Sequence, residues 1–204
     1  MYARPVFDES DPARIRALIE ANPFGLLITH SETRGLDASP IPFVLEPEGE
    51  GFVLAGHLAA GNPQCAMLNE GAEALATFGG PHAYVSPGWY GVQPAVPTWD
   101  YAAVHVKGTL SPLHDPEAIA ASMQRMAAWD PTGFDVQAMD PAYRSRMIAG
   151  VRAFRLRPVT IESQWKMSQN RSIGDRMRVI AALQAQGDPM AAEVAKLIAE
   201  TLPA

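Results

Sequence analysis

The 204-residue chain contains one cysteine, Cys65, and no long apolar run. A single cysteine cannot form an internal disulfide, which excludes a disulfide-stabilised scaffold and favours a reducing compartment. The apolar runs stay well below the roughly 18 residues of a membrane helix, and the first ten residues lack the apolar segment of a signal peptide. We therefore expect a cytoplasmic protein with no membrane association.

The common nucleotide-binding and catalytic signatures are also missing. No GxGxxG motif follows a strand-like segment and no GxxxxGK[ST] motif occurs, so a nucleotide would be bound by side chains and strand edges. The five histidines are scattered singly, which argues against a metal site, and no GxSxG motif supports a serine hydrolase. Cys65 has no CxxC partner, so we interpret it as a small core residue. No catalytic residue is predicted.

Charge is distributed unevenly along the chain. The net charge is −6, which argues weakly against non-specific nucleic-acid binding. The segment from Arg144 to Arg178, however, holds nine of the 16 basic residues and only two acidic ones. Such a segment can mark a site for an anion or an acidic partner, or it can place arginines on solvated helix and strand faces. Both interpretations stay open.

The apolar pattern predicts a mostly β, α+β chain. Strand-like segments without βαβ alternation dominate the first 110 residues, and a last long strand is predicted over 152–167. Asp-Pro and similar helix-start signals predict peripheral helices and a C-terminal helical pair. These segments favour a mostly antiparallel barrel. The predicted strands of the first part are 25–30, 36–45, 52–58, 73–78 and 98–110; the predicted helices are 12–22, a short one over 63–70, 115–129, 141–149, 175–186 and 190–202.

Three segments carry residues suited to a flat, polar-edged ligand. Gly80–Gly108 contains two of the four tryptophans and three of the five tyrosines, which supply broad apolar faces. Gly56–Pro63 (GHLAAGNP) joins a strand to a helix, where free backbone N–H groups suit phosphate. The segment could instead be an ordinary strand-to-helix connection. Trp165–Arg171 (WKMSQNR) combines a stacking surface, two cations and hydrogen-bonding side chains, as a flavin ring requires. It could instead be a polar strand end that caps the next helix.

These segments, together with PFGLLIT (Pro23–Thr29) and KMSQNR, occur in an order that resembles the PaiB-like family. That family consists of FMN-binding split-barrel proteins described as negative transcriptional regulators. The resemblance implies a six-stranded antiparallel split β-barrel related to the pyridoxamine-phosphate oxidase flavoproteins, over residues 1–170. It also implies a helical appendage over residues 171–204, packed on the barrel or the dimer partner. A homodimer with FMN at its interface is expected, with DNA or a regulatory protein as a further partner.

The resemblance also implies which residues contact FMN. Ser39, Ile41 and Pro42 are expected along the isoalloxazine ring. His57, Leu58 and Asn62 are expected near the phosphate. The last segment is expected to close the pocket, in part from the partner subunit, through Trp165, Lys166, Ser168, Gln169, Asn170 and Arg171.

The chain departs from the family pattern at four positions: Cys65 stands where a tryptophan is expected, Gly79 where a glutamine is expected, and two further changes, at Ala60 and Asp100, bear on FMN binding. Ala60 stands where an arginine is expected, and its absence removes a charge-assisted phosphate contact worth roughly 1.5–3 kcal/mol. Asp100 stands where an asparagine is expected, and its charge would repel a phosphate or a reduced flavin unless it is paired. Two alternatives to the regulator therefore stay open: a flavin-dependent oxidoreductase that uses reduced nicotinamide, and a relative that has lost FMN.

Overall fold

A computed structural model describes residues 4–203 of the chain. Within these residues there are five α-helices and seven β-strands, with short 3₁₀ segments at Pro5–Phe7, Pro63–Met67 and Pro87–Trp89. The helices are α1 (Pro12–Ala21), α2 (Pro116–Ala127), α3 (Pro141–Ala149), α4 (Ile173–Gln184) and α5 (Pro189–Glu200). The strands are β1 (Phe24–Ser31), β2 (Gly35–Pro42), β3 (Val44–Glu48), β4 (Gly51–Ala59), β5 (Glu73–Val85), β6 (Thr98–Pro112) and β7 (Val151–Lys166). No helix among residues 4–203 is long and apolar enough to cross a membrane.

Four of the five helices begin at an Asp-Pro pair. The aspartate accepts a hydrogen bond from a backbone N–H of the first turn, and the proline occupies a position where its missing N–H is not needed. At the fifth, Ser172 accepts from the N–H of Asp175. These local signals explain why the predicted helix starts agree with the structure to within two residues. The capping residues of the first four are Asp11, Asp115, Asp140 and Asp188.

The strands form one antiparallel sheet in the order β2-β1-β5-β6-β7-β4-β3. The prediction of six strands is wrong: there are seven, and the sheet is open, with β2 and β3 as its edges. The extra strand arises because the segment predicted as one strand over 36–45 is broken at Phe43. β2 pairs with β1 from Phe24↔Pro42 onward, whereas β3 pairs with β4 from Val44↔Ala55 onward.

The chain passes from β2 to β3 at Phe43, whose side chain turns into the core. The ring is fully buried between Phe78 and Phe154, with ring centroids 5.3 Å and 6.3 Å away in edge-to-face geometry. Its N–H donates to the carbonyl oxygen of Pro23 at 2.8 Å, which continues the β1–β2 register one residue beyond the last pair, Phe24↔Pro42. A single residue therefore connects the two edge strands of the sheet, and β2 also contacts β4. This curvature is what a split barrel requires.

Two compact units are found within the chain. The first comprises, of the described residues, 4–22, 79–104 and 162–203, and its core includes helices α4 and α5, whose Val179, Leu183, Val194 and Ile198 are fully buried. The second comprises residues 23–78 and 105–161 and contains the phenylalanine cluster described above. The division at residue 170 that the sequence suggests is a different partition and stays a prediction.

Candidate functional site

The twelve residues expected at a cofactor site fall into two clusters, one in each unit. Ser39, Ile41, Pro42, His57, Leu58 and Asn62 lie in the second unit, on β2, on β4 and on the turn that follows β4. Trp165, Lys166, Ser168, Gln169, Asn170 and Arg171 lie in the first unit, at the end of β7 and on the turn before α4.

In the first of these clusters, Asn62 joins β2 to the turn after β4. Its Nδ2 donates to Ser39 Oγ at 3.0 Å, and its Oδ1 accepts from the N–H of Gln64 at 2.9 Å, which caps the 3₁₀ segment Pro63–Met67. Gln64 is buried beneath the turn and donates to Leu27 O and Thr29 Oγ1. The segments of Ser39 and Asn62, 23 residues apart, are thus held together by side-chain hydrogen bonds.

The other four residues of this cluster differ in what they can offer a ligand. Ile41 and Leu58 are buried, with 7% and 2% of their surface exposed, so they contribute to the wall and the core. Pro42 is half-buried at the end of β2. His57 faces a small cavity with Met123, Met126 and Met147, and burial lowers the pKa of its imidazole. His57 therefore stays neutral at physiological pH, which suits a hydrogen-bonding role better than ion pairing with phosphate.

The turn after β7 is built around a buried carboxylate, Asp100. Lys166 Nζ lies 3.2 Å from Asp100 Oδ1 and 2.7 Å from Thr98 Oγ1, and it also donates to the carbonyl oxygen of Trp99. Ser168 Oγ donates to Asp100 Oδ2 at 2.6 Å. Asp100 is fully buried, and burial raises the pKa of its carboxyl group although both partners lower it. The aspartate is therefore paired within its own unit.

Some of the remaining side chains of the turn are hydrogen-bonded within it, and others are exposed. Gln169 accepts from the N–H of Met167 at 2.6 Å and donates to the carbonyl oxygen of Trp165, so its amide shapes the turn. Trp165 is buried and Asn170 is exposed. The Arg171 guanidinium lies 4.3 Å from the centre of the Tyr90 ring, a cation–π contact. Tyr90 is buried, and its hydroxyl has no partner among residues 4–203.

Asp175 is a residue of this region that the sequence analysis missed. Its Oδ1 accepts from the N–H of Gly91 at 2.7 Å and from Arg178 Nη2 at 2.6 Å, and its Oδ2 accepts from Ser172 Oγ at 2.9 Å. These bonds, the Gly91 N–H first, lower the pKa of Asp175 to about 2. Asp175 thereby links the loop between β5 and β6, which contains Gly91, to the start of α4. The Ser-x-x-Asp spacing at 172–175 was the available signal, because it is the capping-box pattern.

We expect Asp175 to make the stability of the protein depend on acid pH. The folded pKa of about 2 lies below the ordinary value of 3.8, so the stabilising contribution is complete above about pH 4 and is lost as the pH falls toward 2. Urea unfolding of the wild type should weaken through this window, whereas Asp175→Asn should be less stable at neutral pH and flatter with pH. Glu193→Gln, an exposed change on α5, serves as the control. Parallel pH profiles for the wild type and Asp175→Asn would contradict this role.

The aromatic stretch that stands out in the sequence lies mostly on the surface of the first unit. Trp99 and Tyr84 are 54% and 46% exposed, and their rings meet edge to face at 6.2 Å. His82 lies 6.0 Å from Trp99, ring centre to ring centre. Tyr90 is buried, whereas His82, Tyr84 and Trp99 are exposed. The stretch therefore provides an exposed aromatic patch beside the buried Asp100.

Among residues 4–203, no group of three or more histidine, cysteine, aspartate or glutamate side chains could hold a metal ion. The donors available in both clusters are hydroxyl, amide and guanidinium groups. These groups suit the carbonyl, ring-nitrogen and phosphate atoms of an organic cofactor.

The sequence and the fold each match known proteins. Residues 1–160 match the family described as "Putative FMN-binding domain". The chain is 30% identical over 207 residues to the Protease synthase and sporulation protein PAI 2 of Bacillus subtilis, an alignment that covers 99% of this chain and 98% of the relative.

Two solved structures share the fold at low sequence identity. The FAD and heme binding protein from Mycobacterium smegmatis is 17% identical, with a TM-score of 0.58 over 78% of this chain and 73% of that one. The flavocytochrome Anf3 from Azotobacter vinelandii is 12% identical, with a TM-score of 0.59 over 80% and 72%. Their strand-rich fold agrees with the split-barrel architecture expected from the sequence. Since the family match spans most of the chain and the relative from Bacillus subtilis aligns with nearly all of it, this protein belongs to the PaiB-like FMN-binding family.

Proposed function

We propose that the chain is a cytoplasmic FMN-binding protein that acts as a homodimeric negative transcriptional regulator. The observation that carries the cofactor proposal is the Asn62–Ser39 hydrogen bond, which brings together the two segments expected along the ring and near the phosphate. The proposal is supported by membership of the family and by the full-length similarity to PAI 2. When bound, FMN would supply one- and two-electron chemistry.

The residues of the second unit fit a phosphate-bearing ligand. Asn62 uses one hydrogen of its Nδ2 amide for Ser39, which leaves the other hydrogen available as a donor. Ser39 is half-buried on β2, and its hydroxyl can rotate to donate. We propose that Ser39 and Asn62 contact the cofactor directly, that Ile41, Pro42 and Leu58 form the apolar wall, and that neutral His57 serves as a hydrogen-bonding group.

The residues of the first unit fit the polar edge of a flavin ring. The Tyr90 hydroxyl, which has no partner in the described part of the chain, is a buried donor that a ligand atom can satisfy, and the Arg171 guanidinium lies over the Tyr90 ring. We propose that Trp165, Asn170 and Arg171 contact the cofactor. Lys166, Ser168 and Gln169 have their polar atoms engaged inside the turn, so we propose that they position it.

The homodimer part of the proposal is supported by an apolar groove on the sheet of the second unit. The groove has a volume of about 480 Å³ and runs from the edge strand β2 across β1, β5 and β6 to β7. Leu36 and Val159, which line it, are 75% and 74% exposed. Exposed aliphatic residues grouped in a groove are typical of a surface that another subunit covers.

We expect Asn62 variants to separate the capping role of this residue from its donor role. Asn62→Asp keeps a good helix cap but replaces the amide donor by a negative charge, so FMN affinity should fall by more than tenfold. Riboflavin, which has no phosphate, should lose less affinity. The measurement is quenching of flavin fluorescence on titration with protein, compared at equal urea stability.

The matched control is Asn69→Asp, an exposed asparagine that lies beyond the same 3₁₀ segment. Its FMN affinity should equal that of the wild type. A wild-type protein that neither turns yellow nor quenches FMN would refute the cofactor proposal. Equal losses for FMN and riboflavin in Asn62→Asp would refute the placement of the phosphate.

The regulatory part of the proposal needs its own test. The flavin-loaded protein should sediment as a dimer and bind its own promoter region in a sequence-specific, salt-sensitive manner. A monomer, or the absence of specific DNA binding at moderate salt both with and without FMN, would contradict direct repression. Turnover of reduced nicotinamide above that of free FMN would favour an oxidoreductase instead.

A further inference from the structure

A second cavity lies in the second unit, where the end of β6, the start of α2, the end of α3 and the start of β7 meet. Its volume is about 390 Å³, within the range of small-molecule sites. Ile119 and Ile148 form part of its apolar wall, while Arg144, Arg152 and His114 contribute polar groups. None of these belongs to the twelve residues proposed to bind FMN.

The cavity carries an excess of positive charge. It is lined by two arginines and one carboxylate, Glu117, so its formal charge is +1 with His114 neutral. Arg144 Nη2 lies 3.3 Å from Glu117 Oε1, but the Glu117 side chain is 65% exposed, and such exposed pairs neutralise little. Arg152 has no carboxylate partner among residues 4–203. Arg152 is therefore an exposed guanidinium on the cavity wall that no carboxylate of the described residues neutralises.

The Arg152 guanidinium is hydrogen-bonded to backbone carbonyl oxygens through Nη1, and its other N–H groups can still donate to a ligand. Its Nη1 donates to the carbonyl oxygens of Ala149 at 3.2 Å and Val151 at 2.9 Å, which also stabilises the C-terminal end of α3. The guanidinium has five N–H donors, and its remaining N–H groups have no partner in the described part of the chain. The side chains of Ser145 and His114, which also line the cavity, likewise have no partner there. These groups can bind an oxyanion without displacing a carboxylate.

We propose that this cavity is a binding site for a small monocarboxylate with an apolar aliphatic or aromatic body. The planar carboxylate would pair with Arg152, assisted by Ser145 or His114, and the apolar body would pack on Ile119 and Ile148. A monoanion neutralises the formal charge of the lining. A phosphate dianion would leave a net charge of −1 in a cavity that Ile119 and Ile148 partly wall with apolar surface, which is unfavourable.

The test uses benzoate and hexanoate as probes, and benzamide and hexanamide as neutral counterparts. Methyl NMR shifts of Ile119 and Ile148 report on binding to the full-length protein, alone and saturated with FMN. Both carboxylates should give saturable shifts at millimolar concentration, and the amides should bind at least tenfold more weakly. Arg152→Gln should weaken benzoate binding by about tenfold to a hundredfold. The matched control is Arg157→Gln, on the same strand but paired with Glu48 at 3.1 Å and absent from the lining, which should leave binding unchanged.

A second variant tests the cavity without changing its charge. Ala149→Leu would place a larger side chain at the cavity wall and should abolish the benzoate shifts while Arg152 is retained. The proposal is wrong if neither carboxylate gives saturable shifts, if amides bind as well as carboxylates, or if Arg152→Gln leaves benzoate affinity unchanged. If Arg152→Gln weakens FMN but not benzoate, Arg152 belongs to the flavin site and the proposal also fails.

Discussion

Replacing Gly108 with alanine should lower the free energy of unfolding by about 3 kcal/mol or more. Gly108 is buried on β6, and an added Cβ would lie 2.0 Å from the carbonyl oxygen of Arg157 and 2.8 Å from its carbonyl carbon. Both atoms belong to the backbone of β7, so no side-chain rotation can relieve the overlap. The two strands would have to move apart, which would weaken the hydrogen bonds that hold β7 in the sheet.

Gly79→Ala provides the comparison for Gly108→Ala. Gly79 lies on β5, is exposed, and has no atom within 4 Å of an added Cβ. Alanine should be neutral there or stabilise the protein by about 0.5 kcal/mol. Urea unfolding measures both variants. Failure of Gly108→Ala to fold where Gly79→Ala folds agrees with the prediction, whereas equal unfolding free energies would contradict it.

Asp100→Ala should cost about 3 kcal/mol of stability and loosen the turn that follows β7. Asp100 is fully buried, and its removal leaves the Lys166 ammonium and the Ser168 hydroxyl without their carboxylate partner. Loss of one member of a buried ion pair typically costs 3–5 kcal/mol. We expect the low end because Thr98 and the Trp99 carbonyl still accept from Lys166. The turn positions Arg171, so FMN affinity should fall together with stability.

Asp100→Asn separates the shape of this side chain from its charge. The amide retains an oxygen for Lys166 or Ser168, so the loss of stability at neutral pH should be below about 1.5 kcal/mol. Burial raises the pKa of Asp100, so folding favours the protonated acid relative to the unfolded chain, although Ser168 and Lys166 oppose this shift. The contribution of this group to stability is thus complete below its ordinary pKa of 3.8 and declines as the pH rises through the folded value. The asparagine variant lacks this decline, and its deficit against the wild type should shrink as pH rises.

A deficit of Asp100→Asn that is constant with pH would show that ionisation of this carboxyl is not coupled to folding. An Asp100→Ala protein as stable as the wild type would show that the buried pair of Asp100 and Lys166 does not stabilise the turn. Lys166→Met, which keeps the apolar stem but removes the ammonium, is the reciprocal variant. It should be destabilised as well, because it leaves the carboxylate buried with Ser168 as its remaining side-chain partner.

Local chemistry made most of the elements predictable. Aspartate followed by proline marks a helix start at residues 11, 115, 140 and 188, because both residues act within one turn, whereas the same pair at Asp130-Pro131 begins only a turn. The break at Phe43 was not predictable in this way. Nothing in the alternation of residues 36–45 distinguishes an inward-turning phenylalanine from an ordinary strand residue, since its ring partners lie 35 and 111 residues further along the chain.

The candidate site was predictable as a set of segments but not as a set of contacts. The composition of WKMSQNR indicated binding chemistry, yet Lys166, Ser168 and Gln169 engage partners within the protein, one of them the distant Asp100. Such pairings are decided by which strands become neighbours, and a single sequence does not record them. The same reason hid the link between Asp175 and Gly91, 84 residues apart.

The position of β7 between β6 and β4 has a consequence for how the chain folds. β4 ends at residue 59, but its partner strand β7 begins only at residue 151. Leu58 therefore cannot pair with Arg152 until the chain has been synthesised to that point. During synthesis the β1–β2 and β3–β4 hairpins can form early, while the ladder edge of β4 stays unpaired until most of the chain has emerged. Pairing over such a distance closes a long loop and slows folding. The nascent protein therefore exposes an open strand edge for much of its translation, and it would benefit from a chaperone during that interval.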